Sequence, residues 1–294
     1  MSIDNAARAA SKFIESTRLR LHYRDWGNIE APPLLLVHGG FDHCRSWDWA
    51  ASQLCNDYRV ITPDLRGHGD SEWSGGNAYS MADYVCDMAE LIDQLALSPV
   101  SIIGHSLGGA ITLKYAGAFP EKVKQLVIIE GLVPPQKMQE ENEAPPAQKL
   151  ARWVKQMQRF VKRPHRRYAS QEEAIKRMHE ANSHLTETYA RHLAIHGSRQ
   201  NEDGSYSWKF DPLLRAHQPF DMNGRDSQQL WQNIDCPVLL MRGEDSWASD
   251  PAKDGRAAYF QQAEVMNFAD AGHWLHHDQF DLFMAAVTGV LKTQ

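Results

Sequence analysis

Short apolar runs recur along the chain, and stretches with helical spacing lie between them. The runs cover residues 33–38, 58–64, 100–103, 124–129, 237–242 and 263–268. Such runs are typical of strands that are buried on both faces of a parallel sheet. Residues 81–97 instead place their apolar positions three and four apart, which predicts an amphipathic helix. Strands that alternate with helices predict a parallel sheet with helices on both faces.

The ends and the middle of the chain depart from this alternation. Residues 13–26 alternate like an antiparallel hairpin at a sheet edge, and residues 279–292 predict a final helix. Between about residues 134 and 233 there is no strand-like run, and helical stretches at 148–160 and 171–196 are rich in polar residues. We therefore predict three parts. The first part of an α/β core covers residues 1–133, a helical cap insertion covers 134–233, and the second part of the core covers 234–294.

Composition narrows the class of protein. With 294 residues, 43% of them hydrophobic, the chain can form one large core. The net charge of −6 argues against a nucleic-acid partner. A locally basic segment, residues 159–167, is interpreted as a solvated helix end or loop, and recognition of an anionic group is the alternative.

Targeting signals and cysteine spacing bear on where the protein works. The first residues lack the apolar run of a signal peptide, and no run is long enough to cross a bilayer. The four cysteines form no close pair and no metal-like spacing with histidines. We expect a cytoplasmic protein with free thiols, no membrane partner and no metal. The sequence does not decide the oligomeric state, and a homodimer stays open.

A G-x-S-x-G pattern stands between a predicted strand and a predicted helix, as Gly104-His105-Ser106-Leu107-Gly108. A serine in this context occupies a strained turn, so its neighbours must be small. The start of the next helix offers free amide groups and partial positive charge to a developing oxyanion. We predict Ser106 as a nucleophile and the N–H of Leu107 as an oxyanion donor. The alternative is a bystander serine in a strand-to-helix turn.

A second oxyanion donor should come from the loop after residues 33–38. That loop reads His38-Gly39-Gly40-Phe41. Acyl transfer needs two donors aimed at one oxygen. We predict the N–H of Gly40, with that of Phe41 as the alternative, and a plain turn would be the non-functional interpretation.

His273 is the predicted general base among 14 histidines. It follows the last apolar run, and catalytic groups lie at the carboxyl edge of open α/β sheets. His276 and His277 are expected at the surface or as helix caps, and a metal cluster of these two with His273 is the alternative. Such a histidine needs a carboxylate that fixes its tautomer. Asp245 is our first choice, Glu130 is the alternative acid, and Glu244 and Asp250 stay open.

Several of these segments together resemble the α/β-hydrolase family, in its branch of capped serine esterases, haloperoxidase-like enzymes and carbon–carbon bond hydrolases. The segments are 38–40, 64–71, 104–108 and 271–273. The predicted nucleophile, acid and histidine also follow one another along the chain in the order that is typical of the family. The resemblance implies a mostly parallel eight-stranded sheet, helices on both faces and an inserted helical cap. Family members often carry the acid three residues after the glycine of the seventh-strand turn, where this chain has Ser246.

The chemistry implied is a two-step acyl transfer that needs no cofactor. We expect a carboxylesterase that acts on small to medium esters, so that its partner is a small ester-like molecule. Alternatives on the same residues are a hydrolase of carbon–carbon bonds in vinylogous diketones, a lactonase, a thioesterase and a perhydrolase. A non-catalytic ligand-binding protein on this fold is the alternative from another class.

Overall fold

An eight-stranded sheet forms the centre of the protein. The computed structural model describes residues 9–292, except residues 77, 163, 164 and 217. The strands are β1 (Ala10–Ser16), β2 (Leu19–Asp25), β3 (Pro33–Val37), β4 (Arg59–Pro63), β5 (Val100–His105), β6 (Val123–Ile129), β9 (Val238–Gly243) and β10 (Ala263–Phe268), with β7 (Ser198–Gln200) and β8 (Tyr206–Trp208) apart from them.

The sheet is mostly parallel, as predicted. Its order is β1-β2-β4-β3-β5-β6-β9-β10, with β1–β2 and β2–β4 antiparallel and the other neighbours parallel. The hairpin expected at the chain start therefore forms one edge. Because the parallel strands run the same way, the loops after β3, β5, β6, β9 and β10 meet at one end of the sheet.

Ten α-helices accompany the strands in the described part of the chain. They are α1 (Asp48–Leu54), α2 (Met81–Gln94), α3 (Leu107–Ala118), α4 (Pro135–Glu143), α5 (Pro146–Lys162), α6 (Gln171–Ala181), α7 (Glu187–Gly197), α8 (Gly224–Asn233), α9 (Leu275–Asp278) and α10 (Phe280–Lys292). No helix of the described residues is long and apolar enough to span a bilayer.

Two apolar clusters cover the two faces of the sheet. One contains side chains of α2, α3 and α8, and the other contains side chains of α1 and α10. Strand residues such as Leu34 and Leu35, which point to opposite faces, are both fully buried. This explains why the strands appear in the sequence as continuous apolar runs, and it confirms helices on both faces.

The segment between β6 and β9 departs from its prediction in two details. A short antiparallel pair, β7 with β8, lies where we expected no strand. The helical stretch expected at 171–196 is two helices, α6 and α7, which pack against each other.

The last helix of the segment predicted as a cap packs against the core. A Cβ on Gly117 would lie 2.3 Å from the carbonyl oxygen of Leu230, so the absence of a side chain lets α3 and α8 approach closely. Trp231 of α8 is buried in the same core cluster. The segment boundaries at 134 and 233 stay predictions.

Candidate active site

Ser106 occupies a sharp turn between β5 and α3, with φ 50° and ψ −113°. The N–H of Ser106 donates to the carbonyl oxygen of Ile129 (2.8 Å), which ties the turn to the end of β6. A Cβ on Gly108 would lie 2.5 Å from the carbonyl oxygens of Val37 and His38, so no larger residue fits. The strained backbone holds the serine at the carboxyl edge of the sheet.

The two predicted oxyanion donors lie on adjacent segments. Leu107 is the first residue of α3, so its N–H has no partner within the helix. A Cβ on Gly40 would contact the Leu107 side chain at 3.8 Å, and a Cβ on Gly39 would lie 3.3 Å from Cβ of Ser106. The loop after β3 therefore runs directly beside the serine turn. The alternative donor, Phe41, has a φ of 63°.

Buried groups hold the loop after β3 and keep it uncharged. His38 accepts a hydrogen bond from the N–H of Leu65 at Nε2 (3.0 Å), so Nδ1 carries the proton and donates to the Gly39 carbonyl (2.7 Å). Burial lowers the pKa of His38 to about 3. Burial also raises the pKa of Asp42 to about 8, so this acid is mostly neutral at pH 7. An oxyanion beside the loop would therefore face little negative charge from it.

His273 follows β10 and is held at two points. Its Nδ1 lies 2.5 Å from Oε2 of Glu130. Its carbonyl oxygen lies 2.9 Å from Nε2 of His105, the residue before the serine. The exposed ring of Trp247 lies 5.2 Å from the His273 ring, centroid to centroid. With Nδ1 on the carboxylate, Nε2 is the ring nitrogen left for another partner.

Glu130 is the acid that the structure brings to the histidine. It directly follows β6 with a φ of 47°, and its side chain is fully buried. Besides His273, its carboxylate accepts from the N–H of Gly243 (2.9 Å) and from Oγ of Ser246 (2.6 Å). Since β9 lies between β6 and β10, the acid must reach across about 10 Å of sheet, and the longer glutamate side chain suits that span.

Asp245, the first choice from sequence, is not the partner of His273 in this structure. The backbone N–H of Asp245 donates to the carbonyl oxygen of Ala271 (3.0 Å), and Asp245 is exposed. Glu244 is exposed as well, and Asp250 accepts from the Ala252 N–H (3.0 Å). To serve as the acid, a residue of this turn must direct its side chain toward His273. The position of Asp245 along the sequence did not show in which direction its side chain points.

Ser246 stands where family members often carry the acid. It donates from Oγ to the same Glu130 oxygen that contacts His273, and it accepts from the N–H of Ala248 (3.3 Å). The serine thus links the turn after β9 to an acid that comes from the end of β6. The sequence named both residues without indicating that they meet.

The conspicuous segment 64–71 organises loops near the site. The Asp64 carboxylate accepts from the N–H of Cys44 (2.6 Å) and of Asp70 (2.9 Å), and it contacts Nδ1 of His22 (2.7 Å). A Cβ on Gly69 would lie 2.2 Å from this carboxylate. His22, Cys44 and Asp64 could also hold a metal ion by distance, but His22 already bonds Ser11 and Asp64. The segment therefore fixes the chain beside β3.

A cluster of buried histidines beneath His273 was not expected. His276 and His277, expected at the surface, are 2% and 5% exposed. The His276 ring stacks on Trp47 (4.8 Å) and lies 4.6 Å from the ring of His105. Burial lowers the pKa of His276 well below 6.5 and that of His277 to about 3. Both residues belong to α9, and no pattern in the nearby sequence indicated that this helix is buried.

Comparisons with known proteins show the family of this chain. Residues 32–280 match the family model described as the alpha/beta hydrolase fold. The chain belongs to this family. Over 276 residues it is 26% identical to an esterase of Mycobacterium tuberculosis, a match that covers 92% of this chain and 85% of the relative. The predicted α/β-hydrolase membership, fold and hydrolase class are confirmed.

Two further relatives differ in how much they share. The 3-hydroxybutyrate-oligomer hydrolase of Cupriavidus necator is 40% identical over 111 residues, which cover 37% of this chain and 38% of that relative. The chain therefore spans well under half of that relative's length. The solved thioesterase domain from the curacin biosynthetic pathway has a TM-score of 0.83 at 23% identity, covers 95% of this chain and is itself covered to 99%. That likeness concerns the fold.

Proposed function

We propose that this α/β-hydrolase is a serine carboxylesterase, with Ser106 as nucleophile, His273 as general base and Glu130 as the acid. The observation that carries the proposal is the contact between Nδ1 of His273 and the buried Glu130 carboxylate. It sets the tautomer in which Nε2 is unprotonated and can accept the serine proton. The esterase relative supports an ester as the substrate class.

Acylation begins at the strained serine turn. Oγ of Ser106 attacks the ester carbonyl carbon while Nε2 of His273 takes the hydroxyl proton. Negative charge then develops on the carbonyl oxygen, which the N–H groups of Leu107 and Gly40 would bind. The twelve-residue helix α3 begins at Leu107, and its positive end adds to this stabilisation.

Glu130 stabilises the imidazolium that forms during both steps. His273 passes its proton to the alcohol leaving group and then removes a proton from the water that attacks the acyl-enzyme. It returns that proton to Oγ of Ser106 as the bond to the acyl group breaks and the carboxylic acid leaves. The carboxylate stays ionised throughout and holds the ring in place. The hydrogen bonds from Gly243 and Ser246 orient the carboxylate for that purpose.

Aromatic groups around the reacting residues suit a small to medium ester. Phe41, in the loop after β3, packs edge to face against Phe210, with ring centroids 5.1 Å apart. The ring of Trp247 lies 5.2 Å from the ring of His273. We also propose a cytoplasmic location, which the four free cysteine thiols support.

The test is hydrolysis of p-nitrophenyl esters with increasing acyl length. We expect turnover that peaks at one length and is lost in Ser106→Ala, with an unchanged circular dichroism spectrum. Ser52→Ala, on α1 away from the site, is the matched control and should keep full activity. Near-normal turnover by Ser106→Ala would contradict the proposal.

A further inference from the structure

Helix α5 has an unusual distribution of apolar and basic side chains. It is 17 residues long, and none of its described residues is buried. Three of its apolar residues are substantially exposed: Leu150 at 45%, Val154 at 38% and Val161 at 67%. Spaced four and seven apart, they lie within about 40° of one another around the helix axis. We call these three residues the apolar stripe.

Basic residues form a second row on the same helix. Residues 146–162 contain five Lys or Arg and no Asp or Glu, in a chain whose net charge is −6. Four of them are exposed and lie within about 80° around the axis. We call this set the basic row, and its members are Arg152, Lys155, Arg159 and Lys162.

Burial shows which side of α5 faces outward. The partly buried residues Trp153, Gln156 and Phe160 share one side of the helix. That side faces the rest of the protein, where α5 contacts the short 3-10 helix Pro212–Arg215. The apolar stripe and the basic row then flank the outward direction, one on each side. A flat partner that is both apolar and anionic can contact the two rows together.

We propose that α5 binds the surface of an anionic phospholipid bilayer. Helices with a basic row, an apolar stripe and low overall hydropathy lie in the plane of the membrane interface. The basic row would meet the lipid phosphates, and the apolar stripe would enter the boundary between headgroups and acyl chains. A second copy of this chain fits less well, because a narrow stripe of three residues is small beside the 20–30 residues per partner of stable interfaces.

The proposal departs from the sequence-based expectation that no membrane is involved, and it goes beyond the proposed esterase activity. It would place the protein, without a membrane-spanning helix in the described residues, at a surface where ester-containing lipids are concentrated. Binding depends on α5 alone, so the inactive Ser106→Ala protein must bind vesicles as the wild type does. Failure of the binding and failure of the esterase mechanism are thus separable.

Co-sedimentation of the full chain with vesicles tests the proposal. Vesicles of phosphatidylcholine alone are compared with vesicles in which about a third of the lipid is phosphatidylglycerol. We expect binding to the anionic vesicles that weakens as NaCl is raised. Neutralising two members of the basic row in Lys155→Gln/Arg159→Gln should weaken binding roughly 30-fold. The double variant Val154→Asp/Val161→Asp should also lose binding.

Matched controls lie elsewhere on the surface. Ile29→Asp changes an apolar residue that is 66% exposed, and Lys124→Gln removes an exposed charge near the start of β6. Both should bind vesicles normally. These two variants and the stripe and row variants should hydrolyse a water-soluble short ester at the wild-type rate, which shows that they are folded. Equal binding to both vesicle types, no binding, or normal binding by the stripe and row variants would overturn the proposal. So would a dimer that the same substitutions dissociate.

Discussion

Replacing Glu130 by glutamine is expected to remove most of the activity while the fold survives. The carboxylate accepts three hydrogen bonds, from His273, Gly243 and Ser246. A glutamine keeps the volume and one acceptor oxygen, but its amide group can donate to Nδ1 of His273. That bond favours the tautomer with the proton on Nε2, which cannot accept the proton of Ser106.

The size of the loss follows from the charge that the substitution removes. An imidazolium and a carboxylate with charge centres about 4 Å apart interact by about 4 kcal/mol at an effective dielectric constant of about 20. This energy corresponds to a factor of about 10³ in rate. The wrong tautomer adds to the loss, so we expect kcat to fall by about 10³–10⁴-fold.

Steady-state hydrolysis of the best p-nitrophenyl ester measures this loss, and Asp245→Asn is the matched control. Asp245 is an exposed acid on the neighbouring turn, so its replacement should change kcat by less than about twofold. Urea unfolding of both variants checks that they are folded. A larger loss in Asp245→Asn than in Glu130→Gln would refute the reasoning.

Three further predictions follow from the surroundings of the histidine. Ser246→Ala should lower kcat about tenfold because one hydrogen bond to Glu130 is lost. Ser246→Asp, added to Glu130→Gln, should raise its activity at least tenfold, because a carboxylate on the turn after β9 would then contact His273. No recovery in ester hydrolysis would argue against a carboxylate position that the turns after β6 and β9 share. Because burial lowers the pKa of His276 below 6.5, the unfolded chain binds more protons in acid, so the free energy of unfolding must fall as the pH drops below 6.5. His276→Phe keeps the stack on Trp47 and removes the titrating group. It should make the free energy of unfolding fall by about 1.4 kcal/mol less per pH unit below pH 6.5, as measured by urea unfolding above and below that pH. An unchanged pH dependence would contradict a neutral buried His276.

The sheet could be predicted because its strands are buried on both faces. A run such as residues 124–129 places apolar side chains on both faces of a strand, which is favourable only where both faces are buried, and β6 forms there. The strands β7 and β8 were missed because each has only three residues and they form a small sheet of their own. So short a pair leaves no period-two pattern that can be told apart from a polar loop.

The candidate site could be predicted where backbone geometry restricts the residue type. Gly108 is required because the nearest carbonyl oxygens lie 2.5 Å from its Cβ position, and Gly104 because Cα of Gly109 and Oγ1 of Thr112 lie 2.8 Å from its own. Such restrictions on residue type appear in the sequence as a motif. The acid could not be assigned in this way. Glu130 and Asp245 both follow strand ends, and only the three-dimensional path of the turn shows which carboxylate is buried against His273.

Labelling by a fluorophosphonate probe, followed by peptide mass spectrometry, tests the central claim most directly. An activated serine attacks phosphorus and forms a stable adduct, whereas an ordinary serine does not react. The account predicts a single adduct on Ser106. The adduct should form as fast as ester hydrolysis is lost, and its formation should be strongly slowed in Glu130→Gln. An adduct on another serine, or full ester hydrolysis by protein that carries the adduct on Ser106, would contradict it.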